Sequence, residues 1–129
     1  MTNVVSFTHA LADETRLRII HLVLNEPLCV CELADVLKMP QSSISSHVQV
    51  IRKSGMLESE KCGKWVYFRI EPAHRALVLS ICKFFEVSEL TSAVLKRDAK
   101  NSRKRLSERE ESCCPLPKQL AGSRDTCVA

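Results

Sequence analysis

Between residues 30 and 70 the chain carries a pattern that few folds accommodate: two short helix-like stretches parted by Met39-Pro40, then two strand-like stretches around Cys62-Gly63. Proline at position 40 disfavours helical geometry at Met39 and so marks a turn. Before it, Leu33, Val36 and Leu37 set an apolar period that predicts a helix over residues 30–38. After it, Gln41 or Ser42 opens a helix ending near Ser54, and Gly55 stands where a left-handed residue closes one. Two helices joined by a turn of about four residues make a helix-turn-helix unit. Residues 57–61 and 65–70 read as strands, the second rich in β-branched and aromatic side chains, with Cys62-Gly63 at the turn between them.

The flanks complete the fold class. Residues 3–12 read as a short helix with Val4, Val5, Phe7 and Leu11 as its apolar set. Asp13 is placed to cap a second helix, in which Leu17, Ile20 and Leu24 recur at helical spacing until Pro27 stops it near Asn25. Pro72 opens a fifth helix whose stripe of Leu77, Ile81, Phe84 and Phe85 continues to about Leu95. The expected architecture is mainly α with a small β-hairpin, a winged helix-turn-helix in the order ααααββα over residues 1–97. Beyond Arg97 the hydrophobic period fades, and residues 98–129 read as a charged, cysteine-containing C-terminal tail, disordered or ordered only on binding.

Composition narrows the function classes. Apolar residues make up 45% of the 129 and charged residues 26%, as in a soluble protein. Apolar runs such as residues 19–24 and 76–79 are far too short to span a bilayer, and no secretory leader is visible, so a cytoplasmic protein without a membrane partner is expected. A net charge of +4 permits nucleic-acid binding without demanding it. Seven unevenly spaced cysteines in a reducing compartment argue against a disulfide framework and leave soft-metal binding, redox sensing or burial. No nucleophile elbow, phosphate loop or HExxH is present and the four histidines are scattered, so an enzyme is not expected.

Helical geometry then sorts the fourth helix into two faces. With Ile44 in the core, Val48 and Ile51 fall within about 40° of it, while Ser42, Ser46, Gln49 and Lys53 lie opposite. Hydroxyls and amides on one face suit base edges, Gln49 suits adenine, and Lys53 suits a phosphate or guanine. Lys61 and Lys64 flank the hairpin tip, where a wing meets backbone phosphates. His47 lies only about 60° from Ile44, which favours packing over base contact.

The run Gln41-Ser42-Ser43-Ile44-Ser45-Ser46-His47, with residues 51–57, residues 61–70 and Leu11-Ala12-Asp13-Glu14-Thr15-Arg16, resembles the ArsR/SmtB family of metal-sensing repressors over residues 3–95. The resemblance implies a homodimer built through the first and last helices, double-stranded operator DNA as partner, and a DNA-contacting set of Gln41, Ser42, Ser43, Ser45, Ser46, His47, Gln49, Lys53, Lys61 and Lys64. Leu28-Cys29-Val30-Cys31-Glu32-Leu33 is similar to the inducer segment of the family's arsenic-responsive branch, and also of its cadmium- and lead-responsive branch. Arsenic(III) or antimony(III) is then the inducer, with no cofactor needed for DNA binding. These soft centres favour a pyramidal set of three thiolates.

Residues i and i+2 of a helix point about 200° apart, so Cys29 and Cys31 can share one ion only if the first turn is extended or unwound. Unwinding a helix packed on the reading helix misplaces Ser42, Ser46 and Gln49. The family's third cysteine position holds Ala34 here. The third ligand is open among Cys113, Cys114, Cys62, Cys127, a solvent hydroxide and none at all; the adjacent Cys113 and Cys114 join Cys29 and Cys31 as the metal candidates. Cys62 reads as a wing-tip residue far from Cys29, and Cys82 as interface packing. Two rival inputs remain, a cadmium, lead or zinc ion and thiol oxidation. Against the first, residues 1–28 lack cysteine, and the positions matched to His74 in a zinc site are Val87 and Leu90.

Overall fold

The computed structural model describes residues 3–85 and 89–109. Asn3 caps α1 (Val4–Leu11) by accepting from the Val5 and Ser6 amides. Asp13 caps α2 (Glu14–Asn25) through the Arg16 amide at 3.0 Å, satisfying a donor that every helix start leaves over. A two-residue strand β1 (Leu28–Cys29) follows, then α3 (Val30–Leu37). Lys38 closes α3 in the left-handed region at φ 55°, which turns the chain into Met39-Pro40 and α4 (Gln41–Lys53). Gly55, at φ 83°, ends that helix as its sequence position predicts. Strands β2 (Leu57–Cys62) and β3 (Trp65–Ile70) then form the hairpin, and Pro72 opens α5 (Pro72–Phe84) at its first position.

The core lies among α2, α3, α4 and the hairpin. Ile19, Ile20, Val23, Leu28, Leu33, Ile44, Ile51 and Met56 are all fully buried there. The stripe drawn on α4 holds, with Ile44, Val48 and Ile51 buried. On α1 the buried residues are Phe7 and Ala10, whereas Val4 and Val5 stand in solvent.

Three expectations need correction. The sheet has three strands in the order β1-β3-β2, with Leu28 opposite Phe68 and Cys29 opposite Tyr67, so the hairpin is not alone. The helix from Pro72 stops at Phe84 instead of Leu95 and is not the last: α6 (Glu89–Ser107) follows. The domain also does not end at Arg97. Residues 98–107 are helical, and Asp98, Ser102 and Arg109 are buried. What sequence periodicity missed is that polar side chains hold this helix down: Arg18 grips Asp98 through two bonds of 2.8 and 2.9 Å, and Arg105 meets Asp35 at 2.8 Å. Residues 110–129 lie outside the described residues. No helix among those described is long and apolar enough to cross a membrane.

Candidate DNA interface and thiol site

Burying Ile44, Val48 and Ile51 fixes the rotation of α4 and turns its other face outward. Gln41, Ser42, Ser45, Ser46, Gln49 and Lys53 are exposed there, while Ser43 and His47 are half-buried. The Ser46 hydroxyl donates back to the Ser42 carbonyl at 3.1 Å. His47 turns inward, its Nδ1 4.0 Å from the Asp13 carboxylate. The Arg16 amide bond and the His47 and Arg16 charges hold the Asp13 carboxyl below its ordinary pKa of 3.8, against a smaller opposing effect of burial. In the wing, Lys61 and Lys64 are exposed on either side of Gly63, which turns the hairpin at φ 62°. The Lys64 ammonium sits 5.1 Å from the centre of the Trp65 ring. The polar face and both wing cations therefore point into solvent.

The two leading thiols sit at one corner of this unit. Cys29 ends β1 and is the extended N-cap residue of α3, with φ −92° and ψ 168°; only 2% of it is exposed. Cys31 follows in the first turn and is half-buried. Its Sγ accepts a bond from Gln41 Nε2 at 3.7 Å, so this thiol touches the first residue of α4. The turn at Met39-Pro40 joins the end of α3 to the start of α4, and the two helices pack on each other.

Sequence reasoning missed two residues here, Glu32 and Arg109. Glu32, fully buried, accepts from the Cys29 amide at 3.2 Å. Arg109 reaches it from beyond α6 with a two-pronged contact at 2.6 and 2.9 Å. The same guanidinium donates to the Pro27 carbonyl at 2.7 Å and lies 5.4 Å from the centre of the buried Tyr67 ring. Burial disfavours its charge, but Glu32 outweighs that and holds the Arg109 pKa above the ordinary arginine value. A glutamate three residues after an N-cap is a recognisable signal. Nothing local marks Arg109.

Cys62 corrects another expectation. It lies on β2 opposite Trp65, before the hairpin turn, and packs with Cys31 and Trp65 against the buried pair Cys29 and Tyr67. Cys82, on α5, is half-buried against the main core. Cys29, Cys31, Cys62 and Cys82 form no disulfide. Among the described residues no three His, Cys, Asp or Glu side chains form a group able to hold a metal ion. Cys113, Cys114 and Cys127 lie outside the described residues.

An exposed polar helix seated by an apolar stripe, beside a basic wing, defines a winged helix-turn-helix protein. Residues 13–59 match the family described as bacterial regulatory protein, arsR family. The arsenical resistance operon repressor of Escherichia coli is 50% identical over 64 residues, which are 48% of this chain and 54% of the repressor. The cadmium resistance transcriptional regulatory protein CadC of Listeria innocua is 37% identical over 70 residues, 54% of this chain and 59% of that protein. The chain thus spans about half the length of these curated relatives. Among solved structures, the AntR antimony-specific transcriptional repressor superposes with a TM-score of 0.53 at 30% identity, covering 67% of this chain and 80% of AntR. The chain belongs to the ArsR family.

Proposed function

We propose that the protein is a homodimeric repressor that holds double-stranded operator DNA through α4 and the wing and releases it when arsenic(III) or antimony(III) binds Cys29 and Cys31. One observation carries the reading: the Cys31 thiol touches Gln41, so inducer site and DNA-reading helix share a contact. Gln41, Ser42, Ser45, Ser46 and Gln49 read or line the groove, Lys53, Lys61 and Lys64 meet phosphates, and the half-buried Ser43 and His47 hold the helix at its margin. Such a regulator works in the cytoplasm, where its thiols stay reduced.

The switch follows from the cap. Cys29 is already extended while Cys31 is helical, and in this reading the pull of one ion on both sulfurs opens the first turn of α3. Opening breaks the bond from the Cys29 amide to Glu32 and draws Cys31 away from Gln41. Inducer and DNA then favour different states of one element, and a coupling of about 1–3 kcal/mol lowers operator affinity about 5- to 150-fold. Cys113 or Cys114 supplies the third sulfur. In support, Arg109 is anchored on Glu32, and the four residues from it to Cys113 span at most about 14 Å when extended.

For the dimer, the supporting observation is apolar surface left open on α1 and α5. Val4 and Val5 are 74% and 71% exposed, and Leu77, Phe84 and Phe85 are 51%, 73% and 62% exposed. Large apolar side chains left in solvent, with Phe84 and Phe85 in edge-to-face contact, suit an association face. The likeness to CadC favours cadmium as the second reading of the inducer.

Operator binding titrated with arsenite, antimonite, cadmium and zinc decides between them, in the native chain and with Cys113→Ser/Cys114→Ser. Release by arsenite or antimonite at lower concentration than by cadmium, weakened in the double variant, is expected. Release by cadmium alone contradicts the metalloid reading, and unchanged arsenite release in the variant removes the third-ligand assignment.

A further inference from the structure

Arg109 lies outside α4 and the wing, and its guanidinium is engaged by three bonds. It is 8% exposed, and its partner Glu32 has no exposed surface. Its fork meets both carboxylate oxygens, and its third bond, to the Pro27 carbonyl, ties down the chain just before β1. Glu32 in turn accepts from the amide of Cys29. The chain of contacts therefore runs from the end of α6, through one buried carboxylate, to the residue where α3 begins.

We propose that Arg109 is a positioning residue for the thiol pair: by joining Glu32 to the Pro27 carbonyl it keeps the first turn of α3 closed, and with it the Cys31 to Gln41 contact that seats the reading helix. The inference rests on reading Cys29 and Cys31 as the inducer site, and it makes the end of α6 part of the switch instead of an appendage. Removing the guanidinium leaves a buried carboxylate without its counter-charge, which that turn relieves by opening toward water. Arg105 provides the comparison. It also joins α6 to α3, but through Asp35, which is 58% exposed and lies beyond the first turn.

The test uses the full chain without metalloid, reading amide hydrogen exchange at residues 30–33 and operator affinity. Arg109→Gln is expected to speed exchange there by about tenfold and weaken operator binding by about fivefold, with Arg109→Lys between it and the native protein. Arg105→Gln stays near native in both readouts. Native exchange and affinity in Arg109→Gln overturn the proposal. So does an equal effect of Arg105→Gln, which points to general detachment of α6. Should Arg109→Gln fail to fold, Arg109→Lys decides: about threefold faster exchange at residues 30–33 supports the role and native exchange overturns it. A parallel arsenite titration of the native protein keeps the two readings apart. If arsenite fails to release the operator, the inducer reading falls, while exchange and affinity still decide whether Arg109 holds α3.

Discussion

Helices α4 and α6 both pack on α3, and they are held there by opposite means. α4 is seated by apolar side chains, Ile44, Val48 and Ile51, each at most 1% exposed. α6 contributes Leu106 to the core but is tied chiefly by the pairs Arg18–Asp98 and Arg105–Asp35, with Arg109–Glu32 just past its end. Apolar attachment is close to salt-independent and must be lost as a unit. Charge pairs can be broken one at a time, and one with an exposed partner, such as Arg105–Asp35, also responds to ionic strength. The difference suits the proposed division of labour: the reading helix needs one fixed orientation, and the side that senses needs a closure that can be undone.

The strongest way to break this comparison is at Ile51. Replacing it with alanine should lower global stability by about 2–5 kcal/mol in urea unfolding, with little dependence on salt. A loss no larger than that from a charge pair would mean α4 is not held by its stripe. Next comes Asp98, 1% exposed, whose removal strands Arg18. Asp98→Asn should cost about 1–3 kcal/mol, less than Ile51→Ala because Arg18 can still reach water. A loss below about 0.5 kcal/mol would refute the tie.

Asp13 gives the smallest effect and sharpens the pH side. Asp13→Ala should cost about 1 kcal/mol near neutral pH through loss of the α2 cap. Its folded pKa is lowered, so its contribution is full above the unfolded value near 3.8 and is lost as pH falls through the folded value. The stability gap between native and variant should therefore hold from pH 7 to pH 5 and close below about pH 4. A gap that widens with acid would contradict the cap.

These contrasts also explain what could be read from the amino-acid order. Helix α4, its turn and the wing were legible because Ile44, Val48 and Ile51 keep a helical period and Pro40, Gly55 and Gly63 punctuate it. α6 was not, because its ties join residues 80, 70 and 77 positions apart, and no local pattern encodes such partners. The extra span given to α5 came from carrying the stripe of Leu77, Ile81, Phe84 and Phe85 on toward Leu95, whereas the helix stops at Phe84. Cys62 was misplaced for want of β1. Strand alternation puts it on the face of Trp65 and Tyr67, but only the pairing of Cys29 with Tyr67 brings that face to Cys29 and Cys31. Cys29 and Cys31 were proposed from the resemblance of residues 28–33, whereas the contact of Glu32 with Arg109 needed the fold.

The central claim is that two thiols at the start of α3 govern the grip of α4 on DNA. The most direct test is operator affinity with and without arsenite, measured for the native protein, Cys29→Ser and Cys31→Ser. The account predicts a fall of about 5- to 150-fold in the native protein and almost none in either variant, with metalloid-free affinity retained. Arsenite release of the operator from both variants, as effective as from the native protein, would contradict it.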